Sequence, residues 1–257
     1  MSMKTGIGIR LANASFTRAG LPTVVNYKTA IANHAACVGA WRFDDDSLIT
    51  EDGSGVSSIA SWRTGGPALT FASGTKAART TDSTLGRKVL TFAAGGRYDM
   101  ATTFNPLAKY TMLAIFKPDN YTTQGHVIGS YDTVTGNVAG IRKLVSAGSA
   151  PILRHIRGGN QAQSGIADAA AWIAAYASHK GTSDIKPSIQ QVGGSIVQST
   201  GTATESITGN LPFTVGHQSL SYVGKFDFVA LFSDDLIYEQ AALKALCDTY
   251  LTARKAA

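Results

Sequence analysis

Three consecutive carboxylates, Asp44, Asp45 and Asp46, with Asp52 shortly after, are the densest acidic cluster in the chain. All-oxygen ligands of this kind suit calcium, so this run is the candidate metal site, and calcium the one cofactor the residues could hold. The spacing matches no calcium-binding loop. The simpler reading is a solvated turn whose carboxylates cap backbone amides. Glycoside hydrolysis would need two carboxyl groups held across a sugar bond. Glu51, Glu205 and Glu239 are the only glutamates and lie far apart, so such an enzyme would have to run on aspartates alone. The five histidines, His34, His126, His155, His179 and His217, form no metal-ligand spacing and no nucleophile–histidine–acid order. With no catalytic constellation in view, the expectation is a protein that binds or builds and is not an enzyme.

Sugar recognition uses aromatic faces for stacking and Asn, Asp or Arg side chains for hydroxyls. The aromatics expected at strand ends are Tyr98 beside Asp99, Tyr121 after Asn120, Tyr131 and Tyr222. Tyr98, Asp99, Asn120, Tyr121, Tyr131 and Tyr222 are therefore the candidate glycan-binding residues. Trp41, Trp62 and Trp172 fall inside apolar runs and are expected in the core.

The elements that must position these residues follow from composition and period. Twenty-seven glycines, three glutamates and abundant Ser and Thr disfavour helices and favour turns and strands. Short apolar runs recur at roughly ten-residue spacing between turn residues, the pattern of a sandwich or barrel. The expected strands are 37–43, 57–63, 68–71, 88–92, 98–101, 110–117, 126–131, 138–145, 152–157, 171–178, 188–192, 205–208, 213–217 and 225–232. In the run around Trp172, Trp172, Ala174 and Tyr176 share one face and Ile173, Ala175 and Ala177 the other, as a strand covered on both sides requires. Gly193 and Gly194 read as a tight hairpin turn. After Asp234 and Asp235, Leu236, Ile237, Ala241, Leu243, Leu246, Cys247, Tyr250 and Leu251 recur at helical spacing, which predicts one amphipathic helix over 236–254.

The net charge of +6 could suit a polyanion, but Lys and Arg are scattered, with no run longer than Arg87-Lys88 or Arg142-Lys143. Nucleic-acid binding is not expected. Cys37 and Cys247 read as two buried thiols, and no segment is long and apolar enough to span a membrane. The first residues, MSMKTGIGIRLANASF, contain no apolar run of signal-peptide length, which implies synthesis in a cytoplasm.

From about Cys37 onward, the succession VGAWRFDDD, TMLAIFKPD, AAWIAAYAS, QQVGG, PFTVGHQ and GKFDFVALFSDDLIYEQAALKALCDTYL resembles the concanavalin A-like lectin/glucanase superfamily, in its laminin-G-like jelly-roll branch. The resemblance implies an all-β, two-sheet antiparallel jelly-roll sandwich over residues 36–257, closed by the C-terminal helix. It does not cover residues 1–35, which read as an extended arm for docking. Domains of this branch occur in structural and appendage proteins of tailed bacteriophages. The expectations are thus a non-enzymatic virion subunit, homo-oligomeric, docked to other virion proteins through residues 1–35 and located in the virion. The alternative is a carbohydrate-binding module for host-surface polysaccharide, and behind it a glycan-degrading enzyme.

Overall fold

The two longest apolar runs, around Leu113 and Val229, carry bulky residues on both of their faces, so each needs a cover on both sides. In the computed structural model, which describes residues 25–121, 124–131, 138–144, 151–157, 160–166, 171–181, 186–200, 209–217 and 220–256, they pair side by side at the centre of one sheet. The strands are β1 (Cys37–Arg42), β2 (Ile49–Asp52), β3 (Gly55–Ile59), β4 (Leu69–Gly74), β5 (Ala78–Asp82), β6 (Arg87–Phe92), β7 (Gly96–Phe104), β8 (Lys109–Pro118) and β9 (Gly125–Tyr131). They continue with β10 (Val138–Leu144), β11 (Ile152–Arg157), β12 (Asn160–Gly165), β13 (Ile173–Lys180), β14 (Ser188–Gln191), β15 (Val197–Gln198), β16 (Leu211–Gly216) and β17 (Gly224–Phe232), before helix α1 (Ala241–Ala256).

An eight-stranded sheet runs β15-β14-β13-β8-β17-β6-β5, with β1 also paired to β17, and a nine-stranded sheet runs β12-β11-β10-β9-β16-β7-β4-β3-β2. Every pairing between these strands is antiparallel, and the two sheets stack as a β-sandwich. Met112, Ala114 and Phe116 of β8 enter the core between the sheets together with Val229 and Leu231 of β17. Leu113, Ile115, Phe228 and Ala230 point the other way, into a second apolar layer beneath α1. The expected split of β13 is borne out. Ile173, Ala175 and Ala177 lie between the sheets, and Trp172, Ala174 and Tyr176 lie on the helix side.

Trp41 anchors the inner core. Its ring stacks on Phe213 at 5.5 Å and its indole N–H donates to the Pro67 carbonyl at 3.1 Å. A Cβ on Gly39 would sit 2.5 Å from that ring, which is why the preceding inward position has no side chain. Trp62 stacks on Tyr250 at 5.6 Å, and Trp172 donates to Asp82 at 3.3 Å, so both tie the outer layer down.

Helix α1 begins later than its apolar period suggests. The Asp235 carboxylate accepts from the Ile237 and Tyr238 amides and from the Ser178 hydroxyl, and Thr111 Oγ1 accepts from the Leu236 amide. These bonds hold residues 236–240 as a capped turn, with the helix starting at Ala241. From there Leu243, Cys247, Tyr250, Leu251 and Arg254 form the buried face. Residues 28–32 form a single π-helical turn, in which Ile31 and Ala32 join the same apolar layer, and the Tyr27 ring meets Tyr250 at 5.2 Å. The described end of the expected arm is therefore folded onto its own domain. The remainder of that arm, and the strand expected over 205–208, lie outside the described residues. Cys37 and Cys247 are free, buried thiols, each raised to about 12 by desolvation.

The helix is locked to the sheet by charge. Asp227, fully buried on β17, accepts two 2.7 Å bonds from the Arg254 guanidinium and bonds at 2.7 and 3.1 Å from Arg87. Arg87 also donates to the Arg254 carbonyl, and Arg254 reaches Asp44 at 3.1 Å. Removing one member of a buried ion network strands the others, so Asp227→Asn is expected to lower stability by about 3–5 kcal/mol, measured by urea unfolding. A loss well below that range would mean that the network is dispensable.

Buried histidines add a pH dependence. His155 Nδ1 donates to the Ser188 carbonyl at 2.9 Å and its Nε2 accepts from the Tyr110 hydroxyl at 3.0 Å, a neutral ring that desolvation holds down at about 4. Desolvation likewise holds His179 at about 3. In the unfolded chain both would titrate near 6.5. Above that pH neither state is charged and the stability is intact. As pH falls from about 6.5 toward 4, the unfolded chain takes up protons that the fold refuses, so stability should decline across that window. A urea midpoint that does not move between pH 7 and pH 4 would refute this.

Candidate functional site

No described helix packs on the outer face of the nine-stranded sheet, and the polar side chains of its strands collect there. On β10, Ala139 and Ile141 turn inward, so Arg142 turns outward, and on β11 Leu153 turns inward and Arg154 outward. The register sets Arg142 directly opposite Arg154 on one side and opposite His126 of β9 on the other. One residue pair further, Gly140 faces Gly129, and Thr214 of β16 is aligned with both Gly129 and Asp99 of β7. Four strands thus place Arg154, Arg142, His126 and Thr214 side by side on the outer face.

The polar contacts fix the chemistry of that cluster. Asp99 receives both arms of Arg97, at 2.6 and 2.7 Å, a closed fork on the same strand. The Thr214 hydroxyl donates to the Gly129 carbonyl at 3.1 Å, so its oxygen accepts from His126 Nε2 at 3.2 Å. Burial holds the pKa of His126 well below the ordinary histidine value, so the ring is neutral and, with Nε2 donating, Nδ1 is a bare acceptor. The Tyr131 ring lies 4.6 Å from that of His217, and His217 lies 5.8 Å from His126. A Cβ on Gly129 or Gly140 would meet strand backbone at 2.3 Å, so the two strands close tightly at this pair and neither position can carry a side chain. His126 Nδ1, Arg142 Nε and Arg154 Nε are buried and have no hydrogen-bond partner among the described residues. Native folds leave few such atoms.

Of the residues singled out in the sequence, Asp99 and Tyr131 lie on this face. Tyr98 is buried between the sheets, its hydroxyl donating to the Val56 carbonyl and accepting from the Ala77 amide. Tyr222 is fully buried against Phe92 and Phe226, its hydroxyl bonded to the Lys225 carbonyl. Neither ring has a face left for a ligand, because each is apolar bulk that the core consumes. Asn120 and Tyr121 meet around buried Lys143, whose ammonium donates to the Asn120 carbonyl at 2.7 Å and sits 5.9 Å from the Tyr121 ring centre. Arg97, His126, Arg142, Arg154, Thr214 and His217 went unrecognised in the sequence. The available signal was the outward position of Arg142 and Arg154 in two neighbouring strands.

The three consecutive aspartates do not converge. Asp44 takes the fork of Arg42 at 2.8 and 3.1 Å, which with Arg254 lowers its pKa to about 2 against the opposing effect of burial. Asp45 accepts from the Ser47 amide and hydroxyl, and Asp46 accepts from Arg79 and Lys88. Among the described residues no group of three His, Cys, Asp or Glu is placed to hold a metal ion. Because each carboxylate is already engaged elsewhere, millimolar calcium should leave the melting temperature unchanged within about a degree. A clear calcium-dependent rise would show that the turn rearranges around the ion.

No protein-family model matches the chain, and no curated protein matches it in sequence. Solved structures do match in fold. A Trypanosoma rangeli sialidase in complex with sialic acid superposes with a TM-score of 0.56 at 14% identity, over 86% of this chain and 34% of the sialidase. A mutant GH54 α-L-arabinofuranosidase soaked with a nitrophenyl arabinofuranoside gives 0.57 at 15% identity, over 85% of this chain and 63% of that enzyme. The binding domain of botulinum neurotoxin DC in complex with SialylT gives 0.53 at 7% identity, over 86% and 52%. The chain spans about a third of the sialidase it matches, and at these identities the likeness is one of fold. The β-sandwich implied by the lectin-like motifs is present. These neighbours overturn the expectation of a non-enzymatic tailed-phage virion subunit.

Proposed function

We propose that this chain is a glycan-recognising β-sandwich whose ligand face is the outer side of the nine-stranded sheet. The observation that carries the reading is the set of buried polar atoms left without partners there: the acceptor His126 Nδ1 and the donors Arg142 Nε and Arg154 Nε. Sugar hydroxyls both donate and accept, so one ring edge can satisfy both kinds of atom. Tyr131 supplies an aromatic face on the same side of the sheet, with no side chain rising from the Gly129–Gly140 pair between them. Glycan-linked neighbours of the same fold support the reading. Degradation of the bound glycan is the second reading, favoured by the two glycosidases among those neighbours, with Asp99 as the carboxylate on this face.

The test is binding of the purified chain to a broad glycan array, followed by calorimetry on the strongest ligands. Saturable binding that Tyr131→Ala weakens by roughly tenfold is the expected outcome. No saturable binding to any glycan at millimolar concentration would overturn the proposal. Release of reducing ends from a bound glycan, abolished by Asp99→Asn, would establish the second reading.

A further inference from the structure

Arg142 and Arg154 stand directly opposite one another on adjacent strands, a placement that is destabilising for like charges. Neither guanidinium has an ion-pair partner among the described residues, and Asp99, the carboxylate on the same face, is already committed to both arms of Arg97. Burial pushes both guanidinium pKa values down, and for Arg142 the neighbouring Arg154 adds to that effect. Neutral hydroxyls would satisfy the open N–H groups but would leave two half-buried positive charges uncompensated. An anion answers both needs, and the planar forks of two arginines match the two oxygens of a carboxylate.

The flanks of the pair are those of a sugar site. Next to Arg142, the acceptor His126 Nδ1 calls for a donor, which a carboxylate or sulfate lacks and a hydroxyl has. Gly129 and Gly140 place no side chain between Arg142 and Tyr131, which stands next along the strand pair, opposite Val138. We infer that this face binds a carboxylated sugar, with the acid group received between Arg142 and Arg154, a ring hydroxyl donating to His126 and the ring resting toward Tyr131. The inference rests on the glycan-binding reading and specifies its ligand. Sialic and uronic acids share the required chemistry, and the experiment separates them.

The probes are the methyl glycosides of N-acetylneuraminic acid and of glucuronic acid, the methyl esters of both, methyl galactoside, and inorganic sulfate, each titrated into the full chain by calorimetry. At least one acid should bind, its ester should bind roughly tenfold or more weakly, and added salt should weaken the acid alone. Which acid binds identifies the source of the carboxylate. Arg154→Gln should cost roughly tenfold or more in affinity, and Arg154→Lys should restore part of it, with melting temperatures confirming the fold. The ester comparison needs no variant, so a misfolded mutant cannot obscure the answer. If acid, ester and neutral sugar bind alike and Arg154→Gln changes nothing, the carboxylate inference falls while glycan binding stands. Equal binding of sulfate would make this a general anion site and overturn it. Failure of every sugar would remove both.

Discussion

A strand that is apolar on both faces has to be covered twice, and the layout of this molecule follows from meeting that demand at β8 and β17. One face of their sheet takes the nine-stranded sheet as its cover, and the other takes α1 with the turn over residues 28–32. The eight-stranded sheet thereby becomes the middle layer. The nine-stranded sheet is covered by described elements on one side alone, and burial alternates along β11 and β12, with Leu153 and Ala162 turned into the core and Arg154, Gln161 and Gln163 turned outward. The location of the polar cluster is thus a by-product of where the apolar strands had to go.

The network around Asp227 secures this layering. A carboxylate at the centre of the most buried strand would be unsustainable alone, and it is tolerated because one guanidinium arrives from the helix and another from β6. Helix α1 is therefore held both by apolar contact through Leu243, Cys247 and Leu251 and by a directional bond at its final turn. The basic end of the helix also suits the negative end of its dipole.

Most of the sandwich was legible in the sequence because its core strands are apolar enough to announce themselves. The expected bounds of 88–92, 110–117, 126–131, 152–157 and 225–232 fall within a residue of β6, β8, β9, β11 and β17. β2, β5, β12 and β15 were missed. They lie at or near sheet edges, where one or both faces are wet, and their exposed Thr, Glu, Gln and Asp residues look like loop. The site was less legible for a different reason. A scan along the chain finds charge runs, but charges in a sheet gather across strands, so Arg142 and Arg154 appear isolated until the register makes them neighbours. Tyr98 and Tyr222 misled in the opposite direction. Polar neighbours in sequence suggested exposed strand ends, whereas both hydroxyls are satisfied by backbone groups inside the core.

The pairing of β1 with β17 joins positions almost at opposite ends of the chain, with the Ser233 hydroxyl reaching the Ala36 carbonyl across 197 residues. The central strand of the middle layer thus leaves a ribosome after all three of its partners. Until residues 224–256 emerge, β1, β6 and β8 wait beside a vacant place, with apolar faces meant for a neighbour not yet made. Closing such distant contacts is slow, and waiting edges of this kind invite pairing with other chains. Expression yield should therefore depend on how the nascent chain is shielded during that interval as much as on the stability of the finished sandwich.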